Sequence, residues 1–396
     1  MVRLFHEGMQ ARVQDNGEVS EPFPVSNGVK QGCVLAPTLF SLMFSAMLND
    51  AFCAERVGVD ISYRTDGQLF NPRRLKAKTK IKPDTILDLL FADDCALNAG
   101  SEADLQRSVS NFSIACSNYG LTISTKKTEV LHQPAPGKPY VEPNILINGQ
   151  KINAVNRFTY LGSTLSQDAT IDHEVNLRIS KASSTFGRLY DSVWNRRGIR
   201  NQTKIKVYTL LYACETWTVY SRHARLLNHF HTTSLRKILG IKWQDKVPDT
   251  EVLARAGLPS IHTSLMQSQL RWAGHVVRMP EHRLPKRLFY GELKRGKRAQ
   301  GGQKKRFKDT LKSSLKAFNV DVDSWETLAK DRTSWRSAIK KGAATCEVNR
   351  RNAAESKRQA RKDRAQNTID PDQTIPCPNC LISHQRTHSS ATAPNP

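Results

Sequence analysis

The chain has 396 residues, of which 39% are hydrophobic and 7% aromatic, a length and composition that suit two or three globular domains. Sixty Lys and Arg residues face 36 Asp and Glu residues, which gives a net charge of +24 and an isoelectric point near 9.9. Such an excess of positive charge repels itself in a compact fold unless a polyanion neutralises it. The charge therefore indicates that the chain binds RNA or DNA. The basic residues concentrate after Lys286, so part of the excess belongs to a basic C-terminal region.

The apolar pattern argues against membrane insertion and secretion. The longest apolar stretch, Leu39–Leu48, is interrupted by serines and is too short to span a bilayer. The first residues lack the apolar core of a signal peptide. Six of the eight cysteines are scattered through mostly apolar surroundings, as expected of buried, reduced thiols. We therefore expect a soluble intracellular protein, located in the nucleus, the cytoplasm or both, with no membrane contact.

The N-terminal part predicts a hairpin, a helix and a loop. The dipeptide Asn16-Gly17 tolerates the positive φ angles of a tight turn, so short strands should flank it. Pro37 favours the first turn of a helix that runs through Phe52. This helix is apolar nearly all round, which predicts that it is buried on every side. Residues 55–84 are polar and basic and predict an excursion over the surface.

The next predicted elements alternate between strands and one helix. Ser101 has the spacing of a capping residue at the start of a helix that ends near Gly120. The residues from Leu121 to Leu131 read as a strand, and those from Phe158 to Leu165 read as part of a hairpin.

After residue 170 the spacing of apolar residues becomes helical. Further helices are predicted through 203–240, 250–280 and up to about Lys341, with a Gly- and Lys/Arg-rich segment at 286–308. Between residues 342 and 376 apolar side chains nearly vanish, which predicts disorder or a solvated helix. One apolar stripe at helical spacing consists of Val175, Ile179, Ala182, Phe186, Leu189 and Val193.

Two adjacent carboxylates, Asp93 and Asp94, interrupt the apolar run from Ile86 to Asn98. Their placement costs desolvation and mutual repulsion unless a cation lies between them. Polymerases bind two metal ions at such a place, to activate the primer 3′-hydroxyl and to stabilise the leaving pyrophosphate. The alternative is a plain hairpin turn that contains two aspartates, although Asp-Asp is a poorer turn than Asn-Gly or Asp-Gly.

The aspartate pair belongs to one of four sequence runs that follow each other along the chain. They are GVKQGCVLAPTLF at 28–40, FADD at 91–94, GLTISTKKTE at 120–129 and FTYLG at 158–162. Together they resemble the palm of reverse transcriptases, most closely those of non-LTR (LINE-like) retrotransposons. The resemblance implies an α+β fold in which residues 1–170 form a partial palm, an antiparallel sheet packed on helices, and residues 171–240 form a helical thumb. It also implies that the four runs are motifs B, C, D and E.

The resemblance assigns roles to individual residues. The motif B loop abuts the templating base and the incoming deoxynucleoside triphosphate, motif C binds Mg²⁺, and motif E grips the primer terminus. The implied role of Lys127 is to balance phosphate charge or to protonate pyrophosphate; the alternative is a solvated surface lysine. For the primer grip, the alternative is simple packing of a hairpin. The implied residues are Asp93, Asp94 and Lys127 for catalysis, with Asp93 and Asp94 as Mg²⁺ ligands; Gly28, Gln31, Gly32 and Pro37 for nucleotide and template; and Tyr160, Leu161 and Gly162 for the primer.

Residues 241–341 resemble the basic C-terminal region of the same family. The run LRWAGHVVRM at 270–279 interleaves arginine with tryptophan, which suits backbone contact and base stacking. For Trp272 and Trp335 we favour a role in the core. The basic cluster from Arg295 to Arg306 fits RNA or DNA binding and equally fits a nuclear-localisation tract.

The tail at 377–396 resembles a degenerate zinc finger. Its candidate ligands are Cys377, Cys380, His384 and His388. Only three residues separate the second cysteine from the first histidine, where an ordinary finger has about twelve. Four ligands can still close a tetrahedral Zn²⁺ site.

The chain departs from the family pattern before Gly28, where no strand carries the first catalytic aspartate; Asp15 lies in a turn. Since two-metal catalysis needs that ligand, we expect the chain to be inactive as a polymerase by itself. We therefore keep three hypotheses open: a truncated reverse transcriptase that acts on an RNA template and a DNA primer or target, a non-enzymatic basic RNA- or DNA-binding protein, and a retrotransposon fossil fragment without a selected function.

Overall fold

A computed structural model describes residues 4, 7–25, 34–53, 57–71, 73–135, 137–207, 211, 213–294 and 305–367. Short strands and helices alternate in the first half and helices dominate the second, in agreement with the predicted α+β class. The helices are α1 (Ala36–Phe52), α2 (Glu102–Asn118), α3 (Asp172–Arg188), α4 (Asn201–Val207), α5 (Ser221–Leu239), α6 (Asp249–Ala256), α7 (Ile261–Arg278), α8 (Leu284–Tyr290), α9 (Phe307–Ala317), α10 (Trp325–Lys330) and α11 (Arg332–Asn367).

The strands are short and pair in small sheets. In the one three-stranded sheet of the described chain, β5 lies between β15 and β6, and the other strands pair two by two. The strands are β1 (Gln10–Ala11), β2 (Gln14–Asp15), β3 (Glu18–Val19), β4 (Phe23–Pro24), β5 (Val59–Tyr63), β6 (Lys82–Ile86), β7 (Asp88–Phe91), β8 (Asp94–Leu97), β9 (Glu129–Val130), β10 (Leu146–Ile147), β11 (Gln150–Lys151), β12 (Asn153–Ala154), β13 (Arg157–Tyr160), β14 (Ser163–Ser166) and β15 (Glu292–Leu293).

Local turn and capping signals are confirmed. The φ angles of Asn16 and Gly17 are 47° and 91°, and Asp15 pairs with Glu18 across the turn. At the start of α2, the hydroxyl of Ser101 accepts a hydrogen bond from the backbone N–H of Asp104 at 3.2 Å. These features form where the sequence places them because each depends only on neighbouring residues.

The helix predicted from Pro37 is present as α1, but the prediction that it is buried on every side is wrong. Met47 is fully buried against α2, whereas Leu42 is 65% exposed. Within the described residues, α2 and side chains of β8 cover one face of α1. Composition indicates how many faces of a helix are apolar, but burial depends on which elements pack there.

The prediction of a surface excursion at 55–84 is wrong. β5 and β6 pair along five residues, and β15 joins the other edge of β5 from more than 200 residues away. Leu69, only 3% exposed, packs into the core of the C-terminal helices. The segment looked peripheral because its few apolar side chains find their partners in a distant part of the chain.

The predicted strand from Leu121 to Leu131 is wrong for most of its length. Only β9 is a strand, and it pairs in parallel with β12. Ile123 nevertheless packs against α2 side chains, so its apolar character indicated burial without strand pairing.

The predicted apolar stripe forms α3 and the turn behind it. Val175 is fully buried in a cluster with Leu227 of α5 and Leu265 of α7. Phe186 packs in a second cluster with Trp194, at a ring-centroid distance of 4.8 Å. One stripe of α3 therefore joins two neighbouring helical cores.

The largest core is formed by the C-terminal helices, and it confirms the core role of the tryptophans. Trp335 is 1% exposed, and its Nε1–H donates a hydrogen bond to the carbonyl of Leu270 at 3.1 Å. Trp272 is half-buried against the rings of Phe289 and Phe307. The ring of Trp335 lies directly over Gly274, where a Cβ atom would approach Nε1 to 2.1 Å.

For residues 342–376 the sequence predicted either disorder or a solvated helix. Residues 342–367 continue α11, so the prediction of a helix is confirmed for this part. The helix is buried at Trp335 and Ile339 and becomes exposed beyond Arg350. Residues 368–396 lie outside the described residues.

The six scattered cysteines were expected to be buried. Cys116 and Cys214 are buried, Cys95 and Cys346 are half-buried, and Cys53 is exposed. For Cys53 the expectation is wrong, because it follows the last turn of α1. Among the described helices, none combines the length and apolarity needed to cross a membrane.

Candidate active site

The paired carboxylates lie at the tip of a two-stranded hairpin. β7 and β8 pair in antiparallel register from Asp88 opposite Leu97 to Phe91 opposite Asp94. Ala92 and Asp93 form the two-residue turn, in which Ala92 has a φ of 52°. A positive φ at alanine is uncommon, and such backbone geometry clusters at functional sites.

The hairpin is polar and open at its tip and apolar at its base. Asp93 and Asp94 are exposed, and Phe91 is 61% exposed. Burial, together with the nearby carboxylates, raises the pKa of the Cys95 thiol to about 11. Burial also raises the pKa of Asp88 at the far end of β7. The site therefore presents two carboxylates to solvent on a partly desolvated base.

A second hairpin, β13–β14, packs on the first through Tyr160. The phenol hydroxyl of Tyr160 donates a hydrogen bond to the carbonyl of Leu89 at 2.9 Å, and the carbonyl of Asp94 lies 3.5 Å away. Burial and the neighbouring Asp94 raise the pKa of Tyr160. The hydrogen bond links the FTYLG run to the strand that leads into FADD.

The turn of the second hairpin consists of Leu161 and Gly162. Their φ angles are 48° and 76°, and Tyr160 pairs with Ser163 across the turn. A leucine at positive φ costs roughly 1 kcal/mol, so the surroundings have to hold it there. The side chain of Leu161 is 41% exposed and available for an apolar contact beyond the chain.

The first turns of α3 hold this hairpin from behind. Glu174 is 3% exposed, and its carboxylate accepts a hydrogen bond from the backbone N–H of Thr164 at 2.8 Å. Arg178 donates to the same carboxylate at 2.8 Å and also to the carbonyl of Gly162. The sequence analysis missed this pair, although Glu and Arg at i and i+4 are a recognisable helix signal.

The remaining predicted residues are distributed unevenly. Pro37 lies in the first turn of α1, while Gly28, Gln31 and Gly32 fall outside the described residues. Lys127 is exposed in the turn behind α2, where its side chain makes no hydrogen bond or ion pair with a described residue. The structure therefore joins the motif C and motif E residues and leaves the roles of Lys127 and the motif B loop as predictions.

The carboxylates fit part of a metal site. Oxygen ligands suit Mg²⁺, which is bound in polymerase sites by one or two carboxylates together with substrate phosphates. Within the described part of the chain, no cluster of three or more His, Cys, Asp or Glu side chains is present. Asp93 and Asp94 can supply two carboxylate ligands at the hairpin tip.

Two other predicted sites lie outside the described residues. They are the zinc-finger-like residues of the tail, Cys377, Cys380, His384 and His388, and most of the basic cluster from Arg295 to Arg306.

Comparison with known proteins decides the family. Residues 2–165 match the family model of reverse transcriptase (RNA-dependent DNA polymerase). This segment belongs to the reverse transcriptase family. The match contains the first hairpin and all but the last residue of the second, so the Tyr160–Leu89 hydrogen bond lies inside the matched segment.

Relatives extend the similarity into the helical half. An uncharacterised transposon-derived protein of Caenorhabditis elegans is 24% identical over 278 residues, which cover 66% of this chain and 98% of that protein. The RNA-directed DNA polymerases from mobile element jockey of Drosophila melanogaster and Drosophila funebris are 23% and 24% identical, each over 63% of this chain. The aligned part is 26% of either jockey polymerase. The chain is thus similar, from the segment at 2–165 into its helical half, to proteins of non-LTR mobile elements.

Proposed function

We propose that the chain is the part of a non-LTR RNA-directed DNA polymerase that runs from motif B through the thumb and C-terminal region, and that it binds an RNA template and a DNA primer. The observation that carries this proposal is the hydrogen bond from Tyr160 to Leu89, which joins the carboxylate hairpin to the primer-grip hairpin. A polymerase needs its metal ligands and its primer 3′ end at a fixed separation, because catalysis depends on orientation of the reacting groups.

In this proposal, Asp93 and Asp94 present carboxylate oxygens at the hairpin tip to Mg²⁺. When bound, the metal supplies Lewis-acid stabilisation of phosphate charge. Leu161 and Gly162 contact the primer terminus, and Glu174 with Arg178 keeps their turn in place. Lys127 meets phosphate charge, and the loop of Gly28, Gln31, Gly32 and Pro37 contacts the templating base and the deoxynucleoside triphosphate.

We further propose that the chain alone does not extend a primer. Asp93 and Asp94 are adjacent at the tip of one hairpin, so both come from a single side of the site. An in-line displacement between two metals needs ligands that clamp both ions. A strand that carries another aspartate would complete the set.

Primer extension on an RNA template with Mg²⁺ tests both proposals. The chain is compared with a version extended upstream by an aspartate-bearing palm strand. We expect extension only by the longer version, and we expect Asp93→Ala to abolish it. Activity of the chain alone would overturn the proposed inactivity, and an active Asp93→Ala variant would overturn the proposed site.

Asp15→Ala in the longer version is the matched control. Asp15 is an exposed aspartate that flanks a two-residue hairpin turn, so its removal near a hairpin tip causes the same change in charge. We expect this variant to retain activity. Equal losses for Asp15→Ala and Asp93→Ala would mean that the assay reports hairpin folding and not metal binding.

A second candidate function is non-enzymatic RNA or DNA binding, which the net charge of +24 favours. It predicts salt-sensitive binding that Asp93→Ala leaves unchanged, together with no activity in the longer version. Either function places the protein in the nucleus, the cytoplasm or both.

We propose that Cys377, Cys380, His384 and His388 bind Zn²⁺. Metal analysis of the full chain, compared with its Cys377→Ser variant, tests this proposal.

A further inference from the structure

Helix α11 is divided into a packed half and an exposed half. Its first half is held in the C-terminal core by Trp335 and Ile339, each 1% exposed. From Arg351 to Arg364 the side chains are exposed, with Ala354 alone half-buried. A helix that continues this far beyond its core gains little from hydrophobic burial. Any function of the exposed half therefore depends on its exposed side chains.

The basic residues of the exposed half lie on one face. At about 100° per residue, they fall within an arc of roughly 160° and along about 20 Å of helix. The opposite side carries small and polar side chains, among them Asn352, Ser356 and Gln359. We call the basic side the α11 basic face, and it consists of Arg350, Arg351, Lys357, Arg358, Arg361, Lys362 and Arg364.

Acidic residues neutralise this face only in part. Glu355 and Asp363 project outside the basic arc, and Asp363 accepts a hydrogen bond from Gln359 at 2.8 Å. Glu347 points into the arc, where its Oε1 pairs with Arg350 at 3.1 Å. Its Oε2 accepts hydrogen bonds from the hydroxyls of Ser260 and Thr263 at 2.9 and 2.8 Å. The exposed charges of Arg351, Arg358 and Lys362 are thus left for an external anion.

The positive surface continues into a groove at the foot of the exposed half. A cavity of about 740 Å³ opens between α5, α7 and α11, and Arg350 lines both the cavity and the basic face. Arg225 lines the same cavity, together with Asp249 and with His262, whose pKa is lowered by burial. A polyanion that follows the helix therefore meets one further guanidinium group, that of Arg225, where the helix joins the core.

We propose that the α11 basic face binds the backbone of a B-form DNA duplex, separately from the primer and template in the palm. The major groove of B-DNA is wide enough for an α-helix, whereas that of an A-form RNA duplex is deep and narrow. An anionic membrane is the less suitable partner, because a helix that lies in a membrane interface needs an apolar side opposite its charges. The opposite side here is polar.

Fluorescence anisotropy with a blunt 24-base-pair DNA duplex tests the proposal on the full chain. The face variant combines Arg351→Gln, Arg358→Gln and Lys362→Gln. We expect its affinity to fall by roughly ten- to a hundredfold and the slope of log K against log salt to shrink by about 2 to 3, since each lost phosphate contact removes about 0.9. Unchanged affinity and slope would overturn the proposal.

Two controls separate the face from charge in general. One removes three exposed lysines from α9 and α10 (Lys312→Gln, Lys316→Gln and Lys330→Gln), and we expect it to change the affinity little. The other adds Asn352→Arg, Ser356→Arg and Gln359→Arg to the face variant, which restores the net charge on the opposite side. Full recovery of binding by this second variant would overturn the assignment to a face.

The ligand class is tested with the same proteins. We expect the face variant to lose much less affinity for a 24-base-pair RNA duplex, and equal losses on both duplexes would overturn the assignment to B-form DNA. Binding to phosphatidylserine vesicles that depends on the face and exceeds DNA binding would do the same. Because the duplex has no primer terminus, Asp93→Ala should leave its binding unchanged, so this proposal can fail independently of the polymerase function.

Discussion

The hydroxyl of Tyr160 lies 2.9 Å from the carbonyl oxygen of Leu89, on the strand that leads to Asp93. One hydrogen bond thereby connects two hairpins whose tips carry the carboxylates and the turn of Leu161 and Gly162. Behind the second hairpin, Glu174 holds the N–H of Thr164. Helix α3, the β13–β14 hairpin and the β7–β8 hairpin therefore form one connected series.

Removing the hydroxyl should loosen this series. We expect Tyr160→Phe to lower the free energy of unfolding by about 1 kcal/mol, the usual net contribution of one intramolecular hydrogen bond. Denaturant unfolding measures it, with Tyr190→Phe as the control because Tyr190 is 47% exposed. An equal effect of the two substitutions would show that the bond to Leu89 contributes nothing to stability.

The ion pair between Glu174 and Arg178 should be strongly coupled. Their side chains are 4% and 12% exposed, so removal of one partner leaves the other buried and uncompensated. We expect Glu174→Ala to destabilise the protein by about 3 kcal/mol. A double-mutant cycle with Arg178→Ala should give a coupling energy above about 1 kcal/mol.

The chain contains a matched control for this cycle. Glu251 and Arg255 form an ion pair with the same spacing and nearly the same distance, 2.9 Å, but their side chains are 48% and 52% exposed. Solvent screening should reduce that coupling to about 0.5 kcal/mol or less. Similar coupling in both pairs would contradict the buried role assigned to Glu174.

Gly274 should tolerate no larger side chain. A Cβ atom there would lie 2.1 Å from Nε1 of Trp335, which is itself buried and hydrogen-bonded to Leu270. We expect Gly274→Ala to destabilise the C-terminal core by about 2 to 3 kcal/mol through overpacking. Gly187→Ala in α3 has open space around it and should stabilise the helix by about 0.5 kcal/mol. A neutral Gly274→Ala variant in thermal or denaturant unfolding would contradict this close approach.

Acid should destabilise the helical half through His231. Its side chain is buried between helices, and burial lowers its pKa to about 4, below the value near 6.5 of the unfolded chain. The unfolded state therefore binds more protons in this range, and the stability contribution is lost as pH falls from about 6.5 to 4. The full loss is roughly 3 kcal/mol.

Unfolding titrations at several pH values measure this effect. We expect His231→Leu to lose less stability than the parent between pH 7 and pH 4. His282→Leu, which removes an exposed ring, should follow the parent. Parallel pH profiles for the parent and His231→Leu would contradict the buried, neutral state of His231.

The sequence alone determined the features that rest on neighbouring residues. The Asn16-Gly17 turn and the Ser101 cap depend on backbone preferences and on short-range hydrogen bonds, so a few letters specify each of them. The helical period of the stripe that begins at Val175 likewise specifies a buried face. The ordered runs around Asp93 identified the family for the same reason, since each motif is local.

The tertiary structure decided which distant groups meet. Glu326 accepts hydrogen bonds from the N–H groups of Gln68 and Leu69, at 2.6 and 3.1 Å and more than 250 residues away in the chain. No local pattern in the polar segment around Gln68 encodes that partner, and none predicts that Tyr160 bonds to Leu89 or that Leu42 stays exposed. Local propensity fixes backbone conformation over a few residues, whereas burial and long-range hydrogen bonds depend on the packing of the whole chain.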